Sequence, residues 1–257
     1  MVRLPMANTT TSMRQLLEQE LPRLHALAYD MLGDRDDALK AVGELVDDAV
    51  AHAAMILGAA KPDDALLGRF ARALAPVQED VEGRRTTQSF MILDTILRSD
   101  LTRELDTEGV EVNIHELLWE LKRTCLTRVI GCLPPSIRLS FILTDMLGYS
   151  PADAADLLEI KESAYRVRLT RARKRLDDYL PSRCGHVDRE NACSCESRLG
   201  IAWEAKFLRP PPHSLDTPAL PHNHEPPRRD MAALYRGLPR VALTPAQIST
   251  LLARVRA

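Results

Sequence analysis

The sequence predicts an all-α protein with two helical domains joined by a short linker, followed by a Cys-rich segment and a Pro-rich tail. Three observations support this class. Aromatic residues make up only 4% of the 257 residues, and strands favour aromatic and β-branched side chains. Apolar residues recur at positions that fall on one face of a helix. Capping residues and helix breaks, such as Gly33-Asp34 and Leu133-Pro134-Pro135, separate these periodic stretches.

The first predicted domain covers residues 13–105 and consists of helices. Gly33 ends the first helix, because glycine readily adopts the left-handed conformation that stops a helix. Asp34 has the side chain needed to cap the second helix. Lys61-Pro62-Asp63-Asp64 indicates a break followed by a new helix start. The predicted helices span about 13–31, 36–57, 66–74 and 87–105.

A linker at 106–113 leads to the second predicted domain at 114–181. Its first helix covers about 114–130. Pro135 is well placed at the start of the next helix, since a proline at the first helical position loses no hydrogen bond.

A helix-turn-helix is predicted between Gly148 and Leu180. Ser150-Pro151-Ala152-Asp153 opens its first helix with an N-cap serine, a proline and an acid in the first turn. Ile160-Lys161-Glu162 forms the turn, and Ser163 is predicted to cap the second helix. One side of that helix is apolar and the other is cationic; the apolar residues are Tyr165, Leu169, Ala172 and Leu176. Such a helix fits the major groove of DNA.

Three further segments follow the second domain. Residues 182–207 are rich in cysteine, and residues 208–243 form a Pro-rich linker, of which we expect 208–227 to be extended. Thr244-Pro245 opens a C-terminal amphipathic helix within 244–257.

Composition and motifs exclude several classes of protein. The net charge is −2, so no global basic field indicates nucleic acid. No apolar run is long enough to span a bilayer, and no signal peptide is visible, which predicts a cytoplasmic protein with reduced or metal-bound cysteines. No Gly-rich phosphate loop, Gly-x-Ser-x-Gly elbow or His-Glu-x-x-His pair is present. The sequence therefore predicts a protein that is not an enzyme.

The second domain resembles region 4 of extracytoplasmic-function sigma factors of the sigma-70 family. The resemblance lies in Leu133-Pro134-Pro135, Gly148-Tyr149-Ser150, the helix at 154–158 and the basic run at 167–176. In that family, region 4 reads the −35 promoter element. The residues that we expect to contact DNA are Ser163, Arg166, Val167, Arg168, Thr170, Arg171 and Lys174.

The first domain resembles sigma region 2, most clearly at residues 31–38. In the family, the acidic surface of this region binds a coiled coil of the RNA polymerase β′ subunit. The resemblance therefore implies that Glu44, Asp47 and Asp48 bind polymerase. The alternative is that these carboxylates form an ordinary solvated helix face.

Sigma factors of this family melt the −10 promoter element with a helix that carries aromatic and basic residues. The matching segment is 90–103, in which Phe90 stands where the family has tryptophan. Phe90, Arg98 and Arg103 are the residues that the resemblance assigns to promoter melting. This divergence leaves open a protein that binds DNA or polymerase without melting promoters.

The Cys-rich segment places three thiols and an imidazole within twelve residues, namely Cys184, His186, Cys193 and Cys195. Such a set suits tetrahedral Zn(II), and soft thiolates also bind Cu(I). The segment resembles the Cys-rich extension that some of these sigma factors carry after region 4. The alternative is a loop of reduced surface thiols. Cys125 and Cys132 are interpreted as small buried hydrophobic residues.

The sequence thus predicts a sigma factor of the extracytoplasmic-function type that is regulated by metal or redox state. Its expected partners are core RNA polymerase, through the β′ and β subunits, promoter duplex DNA and an anti-sigma factor. No cofactor is expected for the core function, while Zn or Cu is expected at the Cys-rich segment. The alternative is a sigma-derived regulator that lacks promoter-melting activity.

Overall fold

The structure is a computed structural model, and it describes residues 6–82, 113–208 and 227–255. Within these ranges the chain is helical, and its only extended pairing is an isolated bridge between Cys184 and Cys193. This confirms the predicted all-α class. In chain order the helices are α1 (Met6–Leu32), α2 (Arg35–Ala51), α3 (Ala53–Leu57), α4 (Pro62–Glu82), α5 (Ile114–Gly131), α6 (Pro135–Phe141), α7 (Pro151–Leu157), α8 (Glu162–Tyr179), α9 (Cys195–Glu204), α10 (Met231–Arg236) and α11 (Pro245–Leu252).

The first two helices form an antiparallel pair around a sharp connection. Gly33 has a φ angle of +70°, a conformation in which glycine carries no steric penalty. The Asp34 carboxylate accepts hydrogen bonds from the amides of Asp36 and Asp37, at 2.9 and 3.1 Å. Both features agree with the sequence prediction. The helix predicted over 36–57 is instead two helices, because it breaks at His52 between α2 and α3.

Helix α4 connects the two halves of the molecule. It packs against α1 on one side and against α6 and α7 on the other. Gly68 permits the close approach to α7, since a Cβ atom there would lie 2.8 Å from the carbonyl oxygen of Leu157. Arg72 donates a hydrogen bond to the same carbonyl at 2.5 Å.

A buried arginine fastens the second half to the first. Arg138 is 1% exposed, and its guanidinium donates to the carbonyl oxygens of Ile130 and Leu133 at 2.9 and 2.8 Å. It also donates to the carbonyls of Gly131 and Met31. The carbonyls at the end of a helix have no partner within the helix. Arg138 therefore completes the C-terminus of α5 and ties it to the C-terminus of α1.

A second polar contact joins α2 to α5. Glu120 is 2% exposed and accepts a hydrogen bond from Arg35 at 2.7 Å. Arg123, one turn further along α5, forms an ion pair with the same carboxylate and lies over the ring of Tyr29, 4.7 Å from its centroid. The charge of the buried Glu120 carboxylate is thus balanced by Arg35 of the first half and Arg123 of the second half.

The described part of the predicted linker at 208–243 contains a helix. Residues 231–236 form α10, which Asp230 caps through the amides of Ala232 and Ala233. Tyr235, Val241 and Leu243 are buried in the main core. Nearly all of 208–227, the stretch expected to be extended, lies outside the described residues, and this helix follows it.

The C-terminal helix agrees with its predicted start. Thr244 and Gln247 form a reciprocal capping box, and Pro245 occupies the first helical turn. Leu251 and Leu252 are buried against the body of the protein. No helix in the described ranges is both long and apolar enough to cross a membrane.

Two further predicted features lie outside the described residues. The helix expected at 87–105, with Phe90, Arg98 and Arg103, is one of them. The other is most of the linker at 106–113. The domain boundaries stay a prediction. Most buried apolar residues of both halves belong to one cluster, and a smaller cluster joins α5 to α9.

Candidate nucleic-acid interface

Helices α7 and α8 form a helix-turn-helix. The Ser150 hydroxyl accepts a hydrogen bond from the Asp153 amide at 3.1 Å, so α7 begins where the sequence predicts. The chain reverses through Glu159, which has a φ of +54°, and the Ile160 amide bonds to the Ala155 carbonyl at 3.0 Å. This tight turn sets the angle between the two helices.

The predicted cap of α8 was wrong. The helix begins at Glu162, and the residue before it, Lys161, makes no side-chain cap. The reversal at Glu159 turns the chain early enough for helical geometry to start before Ser163. Ser163 is therefore an exposed residue of the first turn and stays in the predicted DNA-contacting set.

The apolar side of α8 is seated firmly in the core. Tyr165, Leu169, Ala172, Leu176 and Tyr179 are all buried. The Tyr165 hydroxyl donates to the Ser140 carbonyl and bonds to the Thr144 hydroxyl, each at 2.8 Å. Burial raises the pKa of Tyr165 to about 12. These contacts fix the rotation of α8 about its own axis.

Because its apolar side is fixed, α8 presents its cationic side to solvent. All but one of the seven predicted DNA-contacting residues are exposed, and Arg168 is partly exposed. Val167 is 49% exposed although it is apolar, which suits a contact with the methyl group of thymine. The structure thus brings the predicted residues together on one surface, which we call the α8 face: Ser163, Arg166, Val167, Arg168, Thr170, Arg171 and Lys174.

Some cationic residues of α8 form ion pairs within the helix, and others do not. Arg166 and Lys174 pair with Glu162 and Asp178 one turn away, at 2.6 and 3.1 Å. Both pairs are exposed, and such pairs contribute little to stability, so phosphate could displace the acids. Arg171 and Arg175 have no ion pair among the described residues. The structure adds Arg175 to the cations that the sequence analysis singled out for contact with DNA.

Arg173 has a different role from its neighbours. Its guanidinium donates two hydrogen bonds to the carboxylate of Asp145, at 2.7 and 2.9 Å, and this contact raises the pKa of Arg173. Asp145 lies in a π-helical turn, Ile142–Met146, that continues α6. Arg173 therefore anchors α8 to the helix before the helix-turn-helix.

The comparison with known families agrees with this geometry. Residues 123–176 match the family described as Sigma-70, region 4. Residues 123–176 therefore form a sigma-70 region 4 domain. The matched segment runs from within α5 to near the end of α8, so it contains the buried Arg138 and the entire α8 face. The predicted resemblance of the second half to sigma-70 region 4 is thereby confirmed for these residues, which include the helix-turn-helix.

Other comparisons are more distant. One solved structure is similar to this chain: the sigma factor RpoE of Bartonella quintana, in a co-crystal with the anti-sigma factor NepR. It has 20% sequence identity and a TM-score of 0.43, and the match covers 64% of this chain and 94% of that one. No curated protein matches the sequence.

Outside region 4, the three carboxylates predicted to bind polymerase share one side of α2 but differ in their surroundings. Glu44 is exposed and has no ion pair in the described part of the chain. Asp47 pairs with Arg254 of the C-terminal tail at 2.7 Å. Asp48 receives two hydrogen bonds from Arg69 of α4, which lower its pKa. Of the three, Glu44 alone is ready for an external partner.

The structure brings the Cys-rich segment into a compact turn. Gly185 donates a backbone hydrogen bond to Cys193 at 3.0 Å, and a Cβ atom at Gly185 would lie 2.8 Å from the carbonyl oxygen of Cys193. Any larger residue at position 185 would clash with the backbone of Cys193, so glycine is required there. The imidazole Nε2 of His186 lies 3.4 Å from the sulfur of Cys195.

Burial governs the chemistry of these thiols. It raises the pKa of Cys184 to about 11 and also raises the pKa of Cys193 and Cys195. At neutral pH the cysteines are therefore protonated, and protonated thiols react slowly with oxidants.

The four predicted ligands do not form a ready-made metal site. Across the described ranges, no group of three or more His, Cys, Asp or Glu side chains is arranged to hold a metal ion. Cys184, His186, Cys193 and Cys195 are neighbours, but a metal would have to draw their donor atoms together.

Proposed function

We propose that this protein is a sigma factor of the extracytoplasmic-function type, which binds core RNA polymerase and directs initiation at specific promoters. The observation that carries the proposal is the α8 face: an exposed cationic surface on the second helix of a helix-turn-helix within a sigma-70 region 4 domain. Reading a −35 element in the major groove is the task that this surface fits.

The chemistry of the α8 face supports both positioning and readout. Arginine and lysine neutralise phosphates and release counterions, which gives affinity without sequence preference. An arginine near the start of a recognition helix can bind guanine through its O6 and N7 atoms. Arg166 and Arg171 lie in the first three turns of α8, where base edges come within reach of such a helix.

Run-off transcription tests the proposal. The full chain is mixed with core RNA polymerase and a promoter obtained by selecting DNA that the reconstituted holoenzyme retains. A transcript with a defined start site, absent with core polymerase alone, is the expected result. DNA binding without a transcript would instead support the alternative, a sigma-derived regulator without promoter melting, for which the replacement of tryptophan by Phe90 is the motivation.

The polymerase contact gives a first residue-level prediction. Glu44→Lys is expected to weaken binding to core polymerase about tenfold or more, because it reverses the charge of an accessible carboxylate at a charged interface. Binding is measured by titrating labelled protein with core enzyme. Glu18→Lys is the matched control, since Glu18 is an exposed residue of α1. Equal affinities of the Glu44 variant and the control for core polymerase would argue against binding of polymerase by the α2 surface.

We further propose that the Cys-rich segment binds a soft metal ion, Zn(II) or Cu(I), through Cys184, His186, Cys193 and Cys195. The donor set supports this, since three thiols and one imidazole match a tetrahedral zinc site. When bound, the ion would supply the positive charge that lets the buried thiols ionise. An anti-sigma partner stays a prediction from the resemblance.

The metal proposal gives a second prediction. Cys193→Ser combined with Cys195→Ser is expected to remove stoichiometric zinc or copper, because two of four ligands lose their thiolate. Metal content is measured by mass spectrometry on protein purified without chelators. Cys132→Ala is the control, because Cys132 is buried outside the cluster and should retain the metal. An unchanged metal content in the double variant would place the site elsewhere.

A further inference from the structure

The C-terminal residues 227–255 lie across both halves of the molecule. Helix α10 packs on the π-helical turn after α6 and on α8, while α11 packs on α1 and α2. The apolar residues of this segment belong to the same core as the two halves; they are Met231, Leu234, Tyr235, Val241, Leu243, Leu251, Leu252 and Val255. We call residues 227–255 the strap.

At the region 4 end, Tyr235 anchors the strap. Its ring meets Phe141 edge to face, with centroids 5.2 Å apart, and its hydroxyl donates to the Leu126 carbonyl at 3.0 Å. Arg236 donates to the carbonyl of Asp145 at 3.2 Å. Asp145 is also the residue that holds Arg173 of α8, so the strap contacts the support of the DNA-reading helix.

The middle of the strap follows α1. The carbonyl of Val241 lies 3.3 Å from the imidazole Nδ1 of His25. Burial raises the pKa of Asp30 to about 7, and the charges of Arg123 and Arg240 act against this rise. Arg240 of the strap and Arg123 of α5 therefore both lie near one enclosed carboxyl group of α1.

At the other end, the strap covers part of α2. Arg254 donates to the Gly43 carbonyl at 3.1 Å and to the Asp47 carboxylate at 2.7 Å. A Cβ atom at Gly43 would lie 3.2 Å from this guanidinium, so the absence of a side chain makes room for it. Arg14 of α1 donates to the Leu252 carbonyl at 2.9 Å.

We infer that the strap and core RNA polymerase compete for the same surface of α2, so that the strap is an intramolecular inhibitor. The inference rests on the proposed function. Asp47 is one of the carboxylates predicted to bind polymerase, and Arg254 occupies it in the closed state. The exposed ion pair alone would hold the strap weakly. The buried side chains of Leu251 and Leu252 hold it in place.

The first residues of the strap contact the Cys-rich segment. The Arg228 amide donates to the His186 carbonyl at 2.8 Å, and Arg229 pairs with Asp188 at 3.0 Å. A conformational change in the Cys-rich segment would therefore alter the contacts of the first residues of the strap.

The test compares three variants of the full chain. Leu251→Asp with Leu252→Asp opens the strap, because two charges cannot stay buried against α1 and α2. Ser249→Asp with Thr250→Asp adds the same charges to exposed positions of the same helix and is the matched control. Arg254→Ala removes the hydrogen bonds to Gly43 and Asp47 of α2 and keeps the buried leucines, so it tests the competition while the apolar anchor of the strap stays in place.

Two readouts separate the strap from the proposed function. Hydrogen exchange of the amides at 245–255 is expected to quicken at least tenfold in the opened variant and to stay unchanged in the control. Core polymerase affinity is expected to rise about fivefold or more in the opened variant and about twofold in Arg254→Ala. Unchanged hydrogen exchange in the opened variant would overturn the claim that the strap is held closed by its buried leucines. Faster exchange with unchanged polymerase affinity would overturn the competition. A chain that binds no polymerase in any form would overturn the proposed function and the competition with it.

Discussion

Arg138→Leu is expected to lower the free energy of unfolding by about 3 kcal/mol or more, the largest stability effect of any substitution considered. Arg138 donates hydrogen bonds to four backbone carbonyls while it is 1% exposed. Leucine fills part of the volume but leaves those carbonyls without a donor, and each buried unsatisfied polar group costs about 1–3 kcal/mol. Urea unfolding followed by circular dichroism measures the change.

The control for Arg138 is Arg175→Leu, the same substitution at an exposed position of α8. It is expected to change stability by less than about 0.5 kcal/mol, as surface substitutions usually do. Comparable losses in the two variants would show that Arg138 does not complete the C-terminus of α5 and does not tie it to α1.

Arg171→Ala is expected to weaken binding to the selected promoter by about 10- to 100-fold, corresponding to about 1–3 kcal/mol for one good base contact. Arg171 is exposed on the α8 face and has no ion pair in the described part of the chain, so its removal costs the folded protein little. Fluorescence anisotropy with a labelled duplex measures the affinity at a fixed salt concentration, because phosphate contacts depend on salt.

Lys40→Ala is the matched control for Arg171→Ala. Lys40 is an exposed cation of α2, and its loss changes the net charge equally. If both variants lost the same affinity, the binding would reflect overall charge, and the α8 face would not be the reading surface. Preserved affinity for unrelated DNA in the Arg171 variant would show that the residue contributes to specificity.

The sequence predicted those features that depend on neighbouring residues. Gly33 and Asp34 end one helix and begin the next through contacts within four residues, and Ser150 caps α7 in the same way. The alternation of buried and exposed residues along α8 also follows from helical periodicity alone. The fold class, the helix-turn-helix and the composition of the α8 face could therefore be obtained from sequence.

The remaining features depend on contacts between distant parts of the chain. Arg254 and Asp47 are separated by 207 positions, and no local pattern indicates that they meet. Likewise, no local pattern indicates that Arg138 is buried or that Arg173 forms an ion pair with Asp145. The start of α8 was predicted incorrectly because it is set by the positive φ of Glu159, a conformation uncommon for glutamate.

Site-directed photocrosslinking tests most directly the claim that the α8 face lies against base pairs. A photoreactive phenylalanine analogue replaces Thr170, and a second protein carries it at Asp156, an exposed residue of α7. Both are illuminated with the selected promoter duplex. We expect Thr170 to crosslink to bases within the −35 element and Asp156 to give far less product. Crosslinks of equal yield from the two positions, or none from Thr170 while the promoter is bound, would contradict the account.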